Sequence, residues 1–275
     1  MLLAIDAGNT NVLFAVQDGE GRTLGSWRAS TDSRRTADEY AVWLTQLMAL
    51  EGLEPGQVEG AIIASVVPPA MFALKTLCRR YFKAEPMIVG EPGVDIGIDV
   101  RIARPDQVGA DRLVNGIAAF QRFGGPLIVI DFGTATTFDV IAADGAYEGG
   151  VIAPGINLSL DALDRAAAKL PRIAITGPPQ RVIGDATVPA MESGTYWGYV
   201  GLIEGIVSRI KGEYGQPMKV IATGGLAPLF ARATACIDET DPEITMRGLY
   251  EIYRRNEEQR RTPGRTPGRK TGRDA

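Results

Sequence analysis

Two aspartates end apolar runs and open turns of similar composition: Asp6-Ala7-Gly8-Asn9-Thr10-Asn11 and Asp131-Phe132-Gly133-Thr134-Ala135-Thr136-Thr137. A third polar turn, Thr223-Gly224-Gly225, follows another apolar run. Glycine lets backbone N–H groups approach phosphate oxygens closely, and Thr or Asn side chains add donors. An aspartate beside such a turn offers Mg²⁺ a hard oxygen ligand, directly or through water. One turn of this kind is commonplace at a strand end. Two in a repeated setting, with a Gly-Gly turn downstream, point to phosphate chemistry. No Walker lysine segment occurs, so the site is not a P-loop.

A fourth segment, Gly109-Ala110-Asp111-Arg112-Leu113-Val114-Asn115, sets an acid beside an arginine at the start of an expected helix. Asp111 could take a proton from a substrate hydroxyl, and Arg112 could clamp a carboxylate in bidentate fashion. An Asp in a surface ion pair at a helix N-terminus fits the spacing equally well. The chain has no histidine. Ser-His-Asp and Cys-His catalysis, His-based metal sites and imidazole bases are therefore excluded. Proton transfer near neutral pH falls to carboxylates, Lys, Tyr or Cys.

The elements that must carry these turns are legible in outline. Leu2 to Ile5 and Asn11 to Val16 read as paired strands, with a turn at Asp18-Gly19 and a third strand over Arg22 to Arg28. Apolar residues at helical spacing (Tyr40, Trp43, Leu44, Leu47) predict a helix from Thr36 to Leu50. Ala61 to Ser65 and Met87 to Val89 read as short strands, with a helix over Met71 to Phe82 between them. The opening pattern then recurs: Pro126 to Ile130, the Asp131 turn, Thr137 to Ile141, and a turn at Asp144-Gly145. With Asp6 set on Asp131 and Gly8 on Gly133, Gly19 and Gly145 fall one residue out of step. The repeat predicts two like-folded domains, divided near Gly124-Gly125-Pro126. Helices are expected over Asn157 to Ala168, Pro189 to Ile210 and Ile244 to Arg255, with a strand at Lys219 to Ala222. Gly194, Gly198, Gly201 and Gly205 lie on one of these helices, where small residues permit close helix contact within a subunit or between two.

The 275 residues allow two domains of ordinary globular composition, with 45% apolar and 23% charged residues. The net charge of −4 gives no general attraction to nucleic acid. The longest apolar runs are strand-sized, which predicts no membrane span. Met1 to Ile5 lacks a basic leader, and two lone cysteines, Cys78 and Cys236, give neither a disulfide framework nor metal spacing. A cytoplasmic location is expected. Beyond Asn256 the chain is rich in Arg, Pro and Gly, and residues 257–275 are expected to be a disordered basic tail.

Taken in order, Asp6 to Asn11, Ser65-Val66-Val67-Pro68, Gly109 to Arg112, Asp131 to Thr137 and Gly149-Gly150-Val151-Ile152-Ala153-Pro154-Gly155 resemble the type III pantothenate kinases, from residue 1 to about Asn256. These belong to the superfamily of acetate and sugar kinases, heat-shock proteins and actin. The resemblance implies an α/β chain of two duplicated ribonuclease-H-like domains, 1–122 and 126–256, with a nucleotide cleft between them. It further implies ATP contacts from Asp6, Ala7, Gly8, Asn9, Thr10, Asn11, Val12, Leu13 and Thr134. Gly109, Ala110, Asp111 and Arg112 would hold pantothenate, with Asp111 as proton acceptor. Asp131 would hold potassium or ammonium, and Asp6 would serve Mg²⁺. Thr187 would contact substrate across a homodimer interface. Many members carry a tyrosine three residues before the proline that precedes Gly-Ala-Asp-Arg. Here Ile102 stands there, ahead of Pro105, so no polar contact is expected from it. The expected reaction is in-line transfer of the ATP γ-phosphoryl to the pantothenate hydroxyl. Its rivals are a kinase or phosphatase acting on another small hydroxyl compound, and a nucleotide-binding regulator of the same fold without turnover.

Overall fold

A near-continuous apolar run suits a strand covered on both faces. In the computed structural model of the protein, Leu2–Ala7 is such a strand (β1), buried throughout except at Asp6. The structure describes residues 1–166 and 170–261. β1 pairs antiparallel with β2 (Asn11–Gln17), and β2 with β3 (Thr23–Ser30). Helix α1 (Ala37–Leu50) starts at a reciprocal cap. The Glu39 amide donates to Thr36 Oγ1, and the Thr36 amide donates to Glu39 Oε2 at 2.7 Å. Its buried stripe is Tyr40, Leu44 and Met48. Next come β4 (Gly60–Ser65), α2 (Met71–Tyr81) and β5 (Pro86–Ile88), giving a five-stranded sheet ordered β3-β2-β1-β4-β5.

Helix α3 (Ala110–Phe123) leads into the second half: β6 (Leu127–Phe132), β7 (Ala135–Ile141), β8 (Tyr147–Pro154), α4 (Ile156–Ala166), α5 (Thr187–Tyr214), β9 (Lys219–Gly224), α6 (Ala227–Ala231), β10 (Glu239–Thr240) and α7 (Ile244–Arg261). The second sheet is ordered β10-β9-β6-β7-β8. Read in reverse it matches the first strand for strand. β1–β2–β3 and β6–β7–β8 are antiparallel, whereas β1–β4–β5 and β6–β9–β10 are parallel. Even the bulge recurs, at Val16/Gln17 and at Val140/Ile141.

Hydrogen bonds correct the alignment of the turns. Gly8 N–H reaches Asn11 O, whereas Gly133 N–H reaches Ala135 O, so the second Asp turn is one residue shorter. In the following turn Gly21 N–H bonds Asp18 O, as Gly145 N–H bonds Ala142 O. Gly21 and Gly145 share a left-handed φ of 82° and 88°. The counterpart of Gly145 is thus Gly21 rather than Gly19.

Two cores lie on the outer faces of the sheets, one beneath α1 and α2 and one beneath α5 and α6. The inner faces share two helices. α3 and α7 cover the first sheet through Val114, Ile117, Met246, Leu249 and Ile252, and meet the second through Leu113, Ala118 and Ile244. The last helix therefore returns to the first sheet. Strand β8 was not expected, because its glycines weaken a strand signal. The five-residue α6 was likewise invisible. α7 continues past Arg255 to Arg261, so Glu257–Arg261, which composition groups with the tail, are helical. Glu251–Arg254–Glu258 and Glu257–Arg260 pairs along the helix support that extension. Residues 262–275 lie outside the described residues, as do Ala167 and Ala168 of the helix expected to end at 168. Among the described residues no helix is long and apolar enough to cross a membrane.

Candidate active site

Ligands of sheet-based folds gather at the carboxyl ends of strands, where backbone groups leave the ladder. Asp6 sits there on β1 and Asp131 at the same place on β6. The turn after each strand faces the other: Thr10 and Thr134 share a hydroxyl hydrogen bond of 2.6 Å. The first turn is braced from β3, since Thr31 Oγ1 donates to Gly8 O at 2.6 Å and Thr31 N–H to Thr10 O. The second is braced by Gly155, whose N–H donates to Thr134 O at 3.1 Å. The third turn touches the second sheet's aspartate. Gly224 has φ 90°, and a Cβ there would lie 2.8 Å from Asp131 Oδ1. In the Asp6–Leu13 segment, Ala7 and Val12 are buried in the outer core, leaving only their backbone for a ligand, while Leu13 shares the Asp6 face.

Helix α3 begins at this same place. Asp111 lies in its first turn, with Oδ1 accepting the Arg112 N–H at 2.9 Å. Burial, and then the charges of Asp111 and Asp131, push the Asp6 carboxyl up to about 7, with Arg28 pulling the other way. Burial, Asp111 and Asp139 push Asp131 up to about 7 as well, against the hydrogen bond from Asn115. Asp111 is raised by burial and held back by its Arg112 contacts. Three carboxyls that resist ionising together make a place where a cation lowers the free energy of the charged forms. Their donor set is all oxygen, which fits a hard cation. Among the described residues no three Asp, Glu, His or Cys side chains converge to cage a metal. The arrangement suits a divalent ion held by one or two carboxylates together with nucleotide phosphates.

Arg112 points its Nε at Asp139 Oδ1, 2.6 Å away. Asp139 is fully buried and also accepts from Tyr147 Oη at 2.9 Å and Thr137 Oγ1 at 3.0 Å. On the other side, Thr245 Oγ1 of α7 donates to Asn115 Oδ1 at 2.7 Å, and Asn115 Nδ2 donates to Asp131 Oδ2 at 3.2 Å.

A sequence profile described as type III pantothenate kinase matches residues 2–209. The chain belongs to the type III pantothenate kinase family. It is 67% identical over 257 residues to the type III pantothenate kinase of Paramagnetospirillum magneticum, covering 93% of this chain and 98% of that one. It is 63% identical to that of Rhodospirillum rubrum, over 94% and 99% of the two chains. Among solved structures it resembles the activator of 2-hydroxyisocaproyl-CoA dehydratase from Clostridium difficile with bound ADPNP (TM-score 0.54, 12% identity, 96% and 99% covered). It also resembles a protein described as a 2-dehydro-3-deoxygalactonokinase from Sinorhizobium meliloti (TM-score 0.57, 18% identity, 93% and 96% covered). Those likenesses show the fold, two duplicated domains of the actin-like ATPase and sugar kinase type. A kinase of this fold works on ATP with a divalent metal.

Within this family member the structure gathers Asp6, Gly8, Asn9, Thr10, Gly109, Ala110, Asp111, Arg112, Asp131 and Thr134 on three strand or helix ends. Thr187 is not among them: it is exposed at the first turn of α5, and no described contact joins it to the start of α3. Ile102 packs as a half-buried apolar residue beside the inner core of the second sheet. Five residues carry no assigned role from the sequence: Arg28, Asn115, Asp139, Tyr147 and Thr245. Arg28 reaches the site only through register, since it pairs with Leu13, which pairs with Asp6. Asn115 carried a usable signal, four positions after Asp111 on one helix face. The others depend on tertiary contacts and carry no local signature.

Proposed function

We propose that this chain phosphorylates pantothenate to 4′-phosphopantothenate with ATP, the first step of coenzyme A biosynthesis. The observation that carries the assignment of roles is that Asp6, Asp111 and Asp131, drawn from three separate elements, lie near enough for the Asp111 charge to raise both other carboxyls, each of the three being raised by burial as well. The turns 6–11 and 131–137 bind the nucleotide phosphates through backbone N–H groups and the Thr10 and Thr134 hydroxyls. Asp111 accepts the proton of the pantothenate hydroxyl as the γ-phosphoryl is transferred in line. Burial raises its carboxyl above the ordinary range, which makes it a stronger base. Arg112 receives the pantothenate carboxylate.

Asp6 is assigned to Mg²⁺, and Asp131 to a monovalent cation, potassium or ammonium. When bound, these ions offset charge on the phosphates and on the carboxyl cluster. Asn115 orients Asp131 for that task.

The functional unit is proposed to be a homodimer in which Thr187 of a second copy completes the substrate pocket. Support comes from apolar side chains left exposed on β8, α4 and α5, namely Ile152, Leu158, Leu163, Val188 and Trp197. Gly194, Gly198 and Gly201 add open space along α5, where a Cβ would meet nothing.

The test is ADP release with ATP, Mg²⁺ and pantothenate, with and without potassium. Pantothenate-dependent, potassium-stimulated turnover is expected. Folded, ATP-binding protein that releases no ADP on adding pantothenate would overturn the reading.

A further inference from the structure

A guanidinium can meet a carboxylate in a fixed two-point geometry only if its own plane is held. Arg112 is held from one edge. Its Nε donates to Asp139 Oδ1 at 2.6 Å, and its guanidinium carbon stands 5.7 Å from the centre of the Tyr147 ring. Asp139 is held in turn by hydroxyls on both oxygens, Tyr147 Oη on Oδ1 and Thr137 Oγ1 on Oδ2. Asp139 is 0% exposed and Tyr147 is 1% exposed, whereas the Arg112 side chain keeps 15% of its surface.

The Nη1–Nη2 end of the guanidinium makes no hydrogen bond among the described residues. Arg112 Nη2 is buried and makes no hydrogen bond. A buried, unpaired charged donor is costly unless a partner arrives. The room for that partner is kept by glycine. A Cβ at Gly150 would lie 2.9 Å from Arg112 Nη2 and be driven into the Phe138 carbonyl oxygen. The neighbouring Gly149 leaves its space to the Ile102 side chain, whose Cγ2 would be 3.5 Å from a Cβ there.

We infer that Asp139 and Tyr147 are positioning residues that fix Arg112, so that its unpaired edge selects an acceptor substrate carrying a carboxylate. This rests on the pantothenate kinase reading above and adds the source of its acid selectivity. Asp139 and Tyr147 touch no reacting atom. They act through the guanidinium.

The experiment compares kcat/KM for pantothenate with kcat/KM for the neutral alcohol in which CH₂OH replaces the carboxylate. Asp139→Asn keeps the shape and removes the charge that pins Arg112. Its preference for the acid should fall about tenfold, mainly through KM, with the KM for ATP within about threefold of wild type. Tyr147→Phe removes one brace from Asp139 and should lower the preference by about threefold; it remains informative if Asp139→Asn does not fold. Arg112→Lys serves as the reference, because lysine lacks the two-point fork, and should erase the preference. If Arg112→Lys erases it while Asp139→Asn and Tyr147→Phe retain the wild-type ratio, the inference fails and the kinase reading stands. If Arg112→Lys also retains it, Arg112 is not the carboxylate site, and the inference falls together with the role proposed for Arg112, while pantothenate turnover itself stands. A fall in kcat for acid and alcohol alike would mark Asp139 as structural only and likewise overturn the inference.

Discussion

The hydroxyls of Thr10 and Thr134, 124 residues apart in the chain, meet at 2.6 Å between the two Asp turns. Each lies in a turn of a different half, so this bond joins the two halves between the turns proposed to bind phosphate. A phosphate placed there takes both hydroxyls as donors. Valine at either position keeps the β-branched shape and removes the donor. Thr10→Val or Thr134→Val should raise the KM for ATP about tenfold and leave that for pantothenate within about threefold. Initial-rate kinetics with each substrate varied in turn would decide it. A parallel rise in both constants would assign the pair to holding the halves together instead.

Asp111, the proposed base, lies in the first turn of α3 with one oxygen fixed by the Arg112 N–H. Asp111→Asn preserves that acceptor oxygen, so the fold and nucleotide binding should survive. kcat should drop by about 10²–10⁴-fold, the usual contribution of a positioned base. Turnover close to wild type would show that another group takes the proton.

The two Asp turns and the duplication were legible because each hairpin writes itself locally: an apolar run, a polar turn, another apolar run. The spacing of Gly19 and Gly145 misled by two residues, since turn hydrogen bonding, not composition, decides that Gly21 is the equivalent position. What lay beyond reach was long-range. Nothing near Asp139 announces that Arg112 will sit on it, and nothing near Thr245 announces Asn115, because both pairs form only when α3 and α7 are laid between the sheets. β8 escaped for a functional reason. Its Gly149-Gly150 pair weakens strand propensity at the place where Arg112 needs space.

Raised carboxyl pKa values also make a statement about stability. Asp6 and Asp131 bind protons in the folded chain up to about 7, against 3.8 when unfolded. Between those values the folded state holds protons that the unfolded state releases, so this contribution is complete below about 3.8 and lost as pH rises through 7. The ligand-free, potassium-free protein should therefore lose stability from pH 5 to pH 7.5. Asp131→Asn should lose less stability over that window, keeping the share due to Asp6, and melt about 2–6 °C above wild type at pH 7.5, with the two converging near pH 5. Thermal unfolding at a series of pH values measures this. A wild type that gains stability across the window would contradict the carboxyl cluster as described.

Gly150 tests the space beside Arg112 from the backbone side. In Gly150→Ala the new methyl collides with Phe138 O and crowds Arg112 Nη2, and the carbonyl cannot yield without breaking the β7–β8 ladder. A loss of about 1–3 kcal/mol is expected from such overpacking, together with a higher KM for pantothenate. Denaturant unfolding and kinetics on the same sample check both. A variant of unchanged stability would mean that β8 shifts freely.

The last helix reaches Asp131, the proposed cation ligand, through Thr245 and Asn115, and this link can be separated from its packing. Thr245 Oγ1 occupies Asn115 Oδ1, which fixes the amide so that Nδ2 faces Asp131 Oδ2. Without the hydroxyl the amide can turn over and present its oxygen to Asp131, where two acceptors repel. Thr245→Val fills the same volume, so the melting temperature should move by less than about 2 °C. The potassium concentration for half-maximal activity should rise about fivefold, with kcat recovered at saturating potassium. Asn115→Leu should shift it further, because no donor remains. An unchanged potassium dependence in Thr245→Val with a lowered melting temperature would make the Thr245–Asn115 bond a packing feature of α3 and α7 and detach it from Asp131.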